Sequence, residues 1–172
     1  MASSLQISPL KPADWPALWP LLESVFRAGE TFPHNPAITA AEAQELWVEQ
    51  SEAVYAARDC NGTIVGTYYL RPNSLCLGAH VANAGYVVAE GRRRQGIGSM
   101  LCRHSLQEAK KLGYRAMQFN LVVSTNTAAL FCWQAHGFTI VGTLPGAFRH
   151  RSLGYVDAYV MVRSLQEAEQ ES

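Results

Sequence analysis

The sequence lacks any run of about 18 apolar residues, the length that a membrane-spanning helix needs. Its first residues, MASSLQISPLKPADW, contain no basic segment followed by an apolar core. It also lacks net charge, because 14 basic residues balance 14 acidic ones. A balanced chain has no overall field that would draw it to nucleic acid or to an anionic membrane. These absences predict a soluble cytoplasmic protein with neither a membrane nor a nucleic-acid partner.

Paired cysteines are missing as well. The four cysteines, Cys60, Cys76, Cys102 and Cys132, form no CxxC pair, and no histidines stand at zinc-finger spacing. We therefore expect reduced thiols that fill small spaces in the core, and no metal site.

The composition is that of a compact globular chain, because 48% of the 172 residues are hydrophobic and only 16% are charged. This predicts one domain over residues 1–165, followed by a polar tail at residues 166–172. Apolar periodicity predicts helices at about 14–27, 40–50, 97–112 and 126–137. Strands are predicted at about 5–8, 54–59, 63–70, 80–89, 115–123, 138–144 and 154–162, with a loop at 145–153. The fold class is therefore α/β, with a mixed sheet of six or seven strands flanked by about four helices.

The segment GRRRQGIG, residues 91–98, joins a β-prone run to a helix. It is not a Walker phosphate loop, because Ile97 and Gly98 stand where Lys and Ser or Thr are needed. It matches a dinucleotide-binding fingerprint poorly, because Leu101 occupies the position of the third glycine. Three interpretations stay open: a basic patch for nucleic acid, a solvated arginine turn, and a cradle for pyrophosphate.

The cradle has the most direct physical basis. Gly96 and Gly98 let backbone N–H groups approach an anion without a Cβ in the way, and the helix that begins there adds the positive end of its dipole. Ser99 can donate a hydroxyl, and the arginines at 92–94 offer positive charge to phosphate.

Two motifs resemble one known family. The segment VVAEGRRRQGIGSM resembles the acetyl-coenzyme A motif of the GCN5-related N-acetyltransferase family, with Arg93, Gly96 and Gly98 at its fixed positions. The segment NTAALFCWQAHGF resembles the second cofactor-facing helix of that family, which begins at an asparagine, here Asn126, and ends at the pair Gly137 and Phe138. Together the motifs cover about residues 80–145.

The resemblance implies a fold in which two central parallel strands, HVANAGYVVA and RAMQFNLVV, splay apart to admit the cofactor. It implies acetyl-CoA as cosubstrate, with the thioester carbonyl polarised by backbone groups of one splayed strand. The implied cofactor-binding residues are Val87, Val88, Arg93, Arg94, Gln95, Gly96, Ile97, Gly98, Ser99, Asn126 and, as a wall of the thioester site, Trp133.

The implied reaction is direct attack of an amine on acetyl-CoA in a ternary complex. Trp133 occupies the position where many relatives have a tyrosine as general acid, and an indole cannot supply that proton. Tyr155 is our candidate for the acid, with Tyr86 and Tyr159 as alternatives. Glu30, in the loop after the first helix, is our candidate for the general base, with His80, His150 or a chain of waters as alternatives.

Asn83 and Asn120 interrupt the two apolar central strands, and each either braces the splayed strands or faces the acceptor. With Arg149 and Arg151 of the closing loop they could bind a carboxylate, which favours a small amino-acid-like acceptor. A looser resemblance to the branch that contains yeast azetidine-2-carboxylate N-acetyltransferase agrees with this. The alternatives are protein or peptide N-acetylation and a non-catalytic acyl-CoA sensor. The chain could also assemble as a homodimer.

Overall fold

The protein is built on one mixed sheet of seven strands. The computed structural model describes residues 5–166, and the predicted polar tail lies outside the described residues except for Gln166. The order of the strands across the sheet is β1-β2-β3-β4-β5-β7-β6. The strands are β1 Gln6–Pro9, β2 Ala53–Arg58, β3 Ile64–Pro72, β4 Val81–Val88, β5 Ala116–Val123, β6 Thr139–His150 and β7 Gly154–Ser164.

Four helices cover the sheet, as predicted. They are α1 Trp15–Ala28, α2 Ala40–Gln44, α3 Ile97–Lys111 and α4 Thr127–Ala135. A wider π turn, Glu45–Glu49, continues α2 and accounts for the longer helix that the sequence predicts. Within residues 5–166, no helix is long and apolar enough to cross a membrane.

Each face of the sheet has its own core. On one face, Leu18, Leu22 and Phe26 of α1 are buried against the sheet with Trp47. On the other face, the apolar side of α3 is buried against the sheet from Ile97 to Ala109. Leu112 is an exception, because the helix ends at Lys111 and Leu112 at its C-cap is 42% exposed.

The central strands β4 and β5 splay apart, as the family resemblance implies. They are parallel and pair only at Val81 with Ala116 and at Ala82 with Met117. From Asn83 onward the two strands leave a gap, which opens toward the carboxyl end of both. Backbone groups on the facing edges of β4 and β5 are therefore free of the sheet ladder along this gap.

The predicted loop at residues 145–153 is mostly strand. β6 continues to His150 and pairs with β7 through a register shift between Leu144 and Phe148. The shift takes up Pro145 and Gly146, and β6 lies at the edge of the sheet, where proline is tolerated. Only residues 151–153 form the turn. Proline and glycine therefore marked an irregularity within a strand and did not mark its end.

Candidate active site

The turn before α3 presents a series of backbone N–H groups that have no acceptor. Arg94 and Gly96 have φ of +62° and +77°, which curls the chain at this point. Met100 is the first residue of the helix whose N–H finds a carbonyl, that of Gly96 at 3.0 Å. The N–H groups of residues 94–99 make no hydrogen bond with any described residue. Six free donors at the positive end of a helix form a site for an anion.

The three arginines of this turn do not act alike. Arg92 forms an ion pair with Asp59, a buried residue in the β2–β3 turn. Asp59 also accepts the N–H groups of Asn61 and Thr63 through Oδ1. Arg92 therefore fixes the turn to the neighbouring hairpin, and the expectation that it offers its charge to phosphate is corrected. Arg93 and Arg94 are exposed.

Ser99 and Asn126 both use hydrogen bonds within the protein. The Ser99 hydroxyl lies 3.1 Å from Nε2 of His136, at the C-cap of α4. Oδ1 of Asn126 accepts the N–H of Ala129 at 3.3 Å, so Asn126 caps α4. Its amide N–H groups have no acceptor among residues 5–166 and can still reach a ligand.

The edge of β4 that faces the gap can be assigned from the β3–β4 ladder. Ala89 donates its N–H to the Val65 carbonyl at 2.9 Å, and Asn73 donates its N–H to the Val81 carbonyl at 2.7 Å. Hydrogen-bonded pairs alternate along an antiparallel ladder, so the odd-numbered residues of β4 direct their backbone groups to β3. The backbone groups that face the gap are those of Ala84, Tyr86 and Val88.

This alternation separates Val87 from Val88. Val87 pairs with Thr67 of β3, and its side chain belongs to the core on the α1 face. Its backbone groups are therefore used within the sheet, whereas those of Val88 face the gap.

Trp133 packs against the gap from α4. Its ring centroid lies 4.7 Å from that of Tyr86 and 5.0 Å from that of Phe119. The ring is partly buried against the main core, and its N–H has no partner among the described residues. The hydroxyl of Tyr86 lies 2.6 Å from Ser105 of α3, and burial raises the pKa of Tyr86 well above its usual value. Tyr86 is therefore a neutral side chain held toward α3.

The two strand asparagines occupy different environments. Asn83 is buried and donates Nδ2 to the Gln118 carbonyl of β5 at 3.0 Å, immediately after the last paired residues. It therefore braces the closed end of the gap. Asn120 is exposed and donates Nδ2 to Oδ1 of Asn73 at the end of β3.

The remaining candidates, Glu30, Arg149 and Tyr155, lie near the contact between the segment that follows α1 and the β6–β7 turn. Glu30 is exposed, directly after α1. The β6–β7 turn approaches this segment, because Arg151 donates its N–H to the Gly29 carbonyl at 3.1 Å. Arg149 and Tyr155 are exposed and face each other on β6 and β7.

Three other predicted alternatives have their own contacts. Tyr159 is half-buried against the main core. His80 precedes β4 and contacts the Leu77 carbonyl, at the end of the strand opposite the free amides. His150 is buried, and its Nδ1 accepts the N–H groups of Ser152 and Leu153.

A polar cluster on the α1 face was missed in the sequence. Tyr69 and Arg71 of β3 lie beside Asn83, and the Tyr69 hydroxyl donates to Oδ1 of Asn83 at 3.2 Å. The Tyr69 ring covers Gly85, where an added Cβ would stand 2.5 Å from the ring. His34 stacks on Phe32 and meets Phe26 edge to face, and the charge of Arg71 contributes to lowering the pKa of His34. Arg71 was detectable as the one charged residue in the strand IVGTYYLRP.

The chain is similar in sequence to known proteins. The family described as "Acetyltransferase (GNAT) family" matches residues 15–138. The N-acetyltransferase aca1 of Schizosaccharomyces pombe is 30% identical over 148 residues, which are 77% of this chain and 71% of that protein.

Solved structures agree with that match. A GCN5-related N-acetyltransferase from Kribbella flavida is 41% identical, with a TM-score of 0.88 over 93% of this chain and 97% of that one. A phosphinothricin acetyltransferase from Sinorhizobium meliloti, solved in complex with AcCoA, shares the fold at 17% identity, with a TM-score of 0.85 over 100% of this chain and 93% of that one. The chain therefore belongs to the acetyltransferase (GNAT) family and is an N-acetyltransferase.

Proposed function

We propose that the protein transfers an acetyl group from acetyl-CoA to a primary or secondary amine of a small amino-acid-like acceptor, and that residues 1–165 act as one acetyltransferase domain. The observation that carries the proposal is the order along the chain: the open edge of β4 ends at Val88, and the six free amides at residues 94–99 follow after one short turn. An anion-binding turn followed by an unpaired strand edge suits a ligand with a pyrophosphate at one end and an extended, amide-bearing arm. The phosphinothricin acetyltransferase of the same fold holds AcCoA.

On this proposal, the amides of residues 94–99 bind the pyrophosphate, and Arg93 and Arg94 add charge from the surface. Backbone groups of Val88 and Tyr86 bind the extended arm along the gap. Each residue of β4 spans about 3.3 Å along the strand. An extended arm that starts near Val88 and follows this edge therefore places the thioester toward Ala84 and Asn83, at the closed end of the gap. Asn126 of α4 reaches the arm with its free amide N–H groups.

The acceptor then approaches from the face that α1 and α2 cover. Glu30 and His34 are the groups on the α1–α2 segment that can take the proton of the ammonium before attack. His34 is half-buried, and burial and the charge of Arg71 lower its pKa, so its imidazole is neutral at pH 7. Asn83 orients the acceptor at the closed end, while Asn120, Arg149 and Tyr155 line the outer approach.

The departing thiolate does not depend on an acid from α4. A thiol with a pKa of about 8.5 lies about 1.5 units above neutral pH, so its protonation is worth at most roughly 2 kcal/mol. Trp133 can wall the thioester and direct its N–H to the sulfur. Tyr155, our candidate for the acid, is 74% exposed near the β6–β7 turn, and its role stays a prediction.

The proposal is tested by heating the protein with and without acetyl-CoA and by following the release of CoA thiol across a panel of amines, amino acids and short peptides. We expect a rise in the melting temperature and thiol release that depends on a small amine. Stabilisation without turnover would favour an acyl-CoA sensor, and turnover of peptides alone would favour peptide acetylation.

A further inference from the structure

Arg71 is a half-buried cation without a carboxylate partner. Its guanidinium donates to the Leu46 carbonyl at 3.4 Å and to the Tyr69 hydroxyl at 3.3 Å. Both bonds are long and both acceptors are neutral. Within residues 5–166, Arg71 forms no salt bridge. Removing a guanidinium from water has a cost that a bound anion would offset.

The neighbours of Arg71 connect it to the closed end of the gap. Its Cζ lies 4.6 Å from the ring centroid of Tyr69, and the Tyr69 hydroxyl donates to Asn83. Asn83 in turn holds the Gln118 carbonyl at the point where β4 and β5 separate. His34, on the other side, adds no negative charge. Among residues 5–166, no carboxylate oxygen lies within 4.0 Å of the Arg71 guanidinium, which stands next to the proposed position of the thioester.

We propose that Arg71 binds the carboxylate of the acceptor and so selects amines that carry an anionic group close to the nitrogen. This inference rests on the proposed function. In an α-amino acid the nitrogen is two bonds from the carboxylate carbon, so a carboxylate paired with Arg71 leaves the amine free to turn toward the gap. A planar guanidinium can also donate two parallel hydrogen bonds to one carboxylate.

This assignment moves the carboxylate contact from Arg149 to Arg71. Arg149 is exposed on β6, where water screens its charge and ordering its side chain costs conformational entropy. Arg71 is half-buried and is already oriented by Tyr69 and Leu46. A charge held in place in a partly desolvated site discriminates between ligands more strongly than an exposed one.

The test compares acceptors in pairs, each free amino acid with its own carboxamide, for example proline with prolinamide and alanine with alaninamide. The wild type should have a higher kcat/KM for the acid of an accepted pair. Arg71→Gln should lower kcat/KM for the acid by about tenfold to a hundredfold and leave that for the carboxamide within about threefold. The kcat/KM of Arg71→Lys for the acid should lie between those of the wild type and Arg71→Gln. Arg103→Gln, on the outer face of α3, is the matched control and should behave as the wild type.

Acetyl-CoA affinity and melting temperature, measured for every variant, separate loss of the anchor from loss of the fold. If the wild type uses acids and carboxamides equally, or if Arg149→Gln removes the preference and Arg71→Gln and Arg71→Lys both keep it, the assignment of Arg71 is wrong while acetyl transfer stands. If the wild type uses no amine, the proposed function itself fails.

Discussion

Nε2 of His136 lies 3.1 Å from the hydroxyl oxygen of Ser99, so the first turn of α3 is tied to the C-cap of α4. Nδ1 of His136 lies 2.8 Å from the Cys132 carbonyl. A carbonyl only accepts, so Nδ1 donates to it, and this bond fixes the orientation of the ring that brings Nε2 to Ser99. The backbone of His136 is held as well, because Arg163 donates to its carbonyl. The two helices that carry the cofactor motifs are thereby held in register.

This contact predicts a selective effect on donor binding. His136→Leu should weaken acetyl-CoA binding by about three- to tenfold, the worth of one hydrogen bond, because Ser99 loses its orientation beside the pyrophosphate site. Affinity for acetyl-pantetheine, which has no pyrophosphate, should not change. The measurement is titration calorimetry with both donors, and Ser99→Ala combined with His136→Leu should be no worse than either variant alone. Equal losses for the two donors would mean that His136 supports the fold in general.

Gly96 provides the most direct probe of the cradle. Its φ of +77° is in the left-handed region, and no protein atom lies within 4 Å of where a Cβ would stand. Gly96→Val should therefore abolish acetyl-CoA binding by displacing the free amides, while the left-handed φ costs about 1–2 kcal/mol of folding free energy. Calorimetry and thermal unfolding separate the two effects. Undiminished affinity would mean that the pyrophosphate binds elsewhere.

His34 predicts a dependence of stability on pH. Burial, and then the charge of Arg71, lower its pKa from 6.5. Above pH 6.5 the ring is neutral in both the folded and the unfolded chain, so it contributes no pH dependence. Below pH 6.5 the unfolded chain binds a proton that the folded chain resists, so the free energy of unfolding should fall until the pH reaches the lower pKa of the folded state.

His34→Gln removes this titrating group, so the free energy of unfolding should depend less on pH below pH 6.5. His104, whose pKa is also lowered by burial, remains in both proteins, so the difference between wild type and variant isolates His34. Urea unfolding at several pH values between 4.5 and 7.5 measures it. If the free energy of unfolding changes equally with pH in the two proteins, His34 is not held neutral in the folded state.

The position of Trp133 can be tested by restoring the tyrosine that the motif leads one to expect. Trp133→Tyr should raise kcat, by no more than about thirtyfold, because protonating the leaving thiolate is worth at most roughly 2 kcal/mol. Affinity for acetyl-CoA should be retained. The comparison is kcat at pH 7 against Trp133→Phe, which has no hydroxyl. An equal kcat for the two variants would make Trp133 a packing residue for Tyr86 and Phe119.

The sequence predicted the parts of this structure that depend on local chemistry. Glycines before α3 and the asparagine before α4 indicated the two motifs, and short-range periodicity predicted the strands and helices around them. It did not predict what depends on pairing between distant residues. Arg92 could not be told apart from Arg93 and Arg94, because its partner Asp59 lies in another hairpin.

The residues proposed to contact the acceptor were the hardest to predict from the sequence. Tyr69 and Arg71 share one face of β3, but Asn83 joins them only when β3 pairs with β4, and His34 only when the α1–α2 segment folds over the sheet. Val87 and Val88 differ for the same reason, since only the register with β3 decides which of them faces the gap. Glu30 and Tyr155, named from their place in the chain, stay predictions.

The central claim is acetyl transfer to an amine, and mass spectrometry of the acceptor measures it most directly. Wild-type protein incubated with acetyl-CoA and the amino-acid panel should release CoA thiol and form one N-acetylated acceptor in equal amounts, and Gly96→Val should form neither. Acetyl-CoA binding by the wild type, without an acetylated product from any member of the panel, would contradict the account.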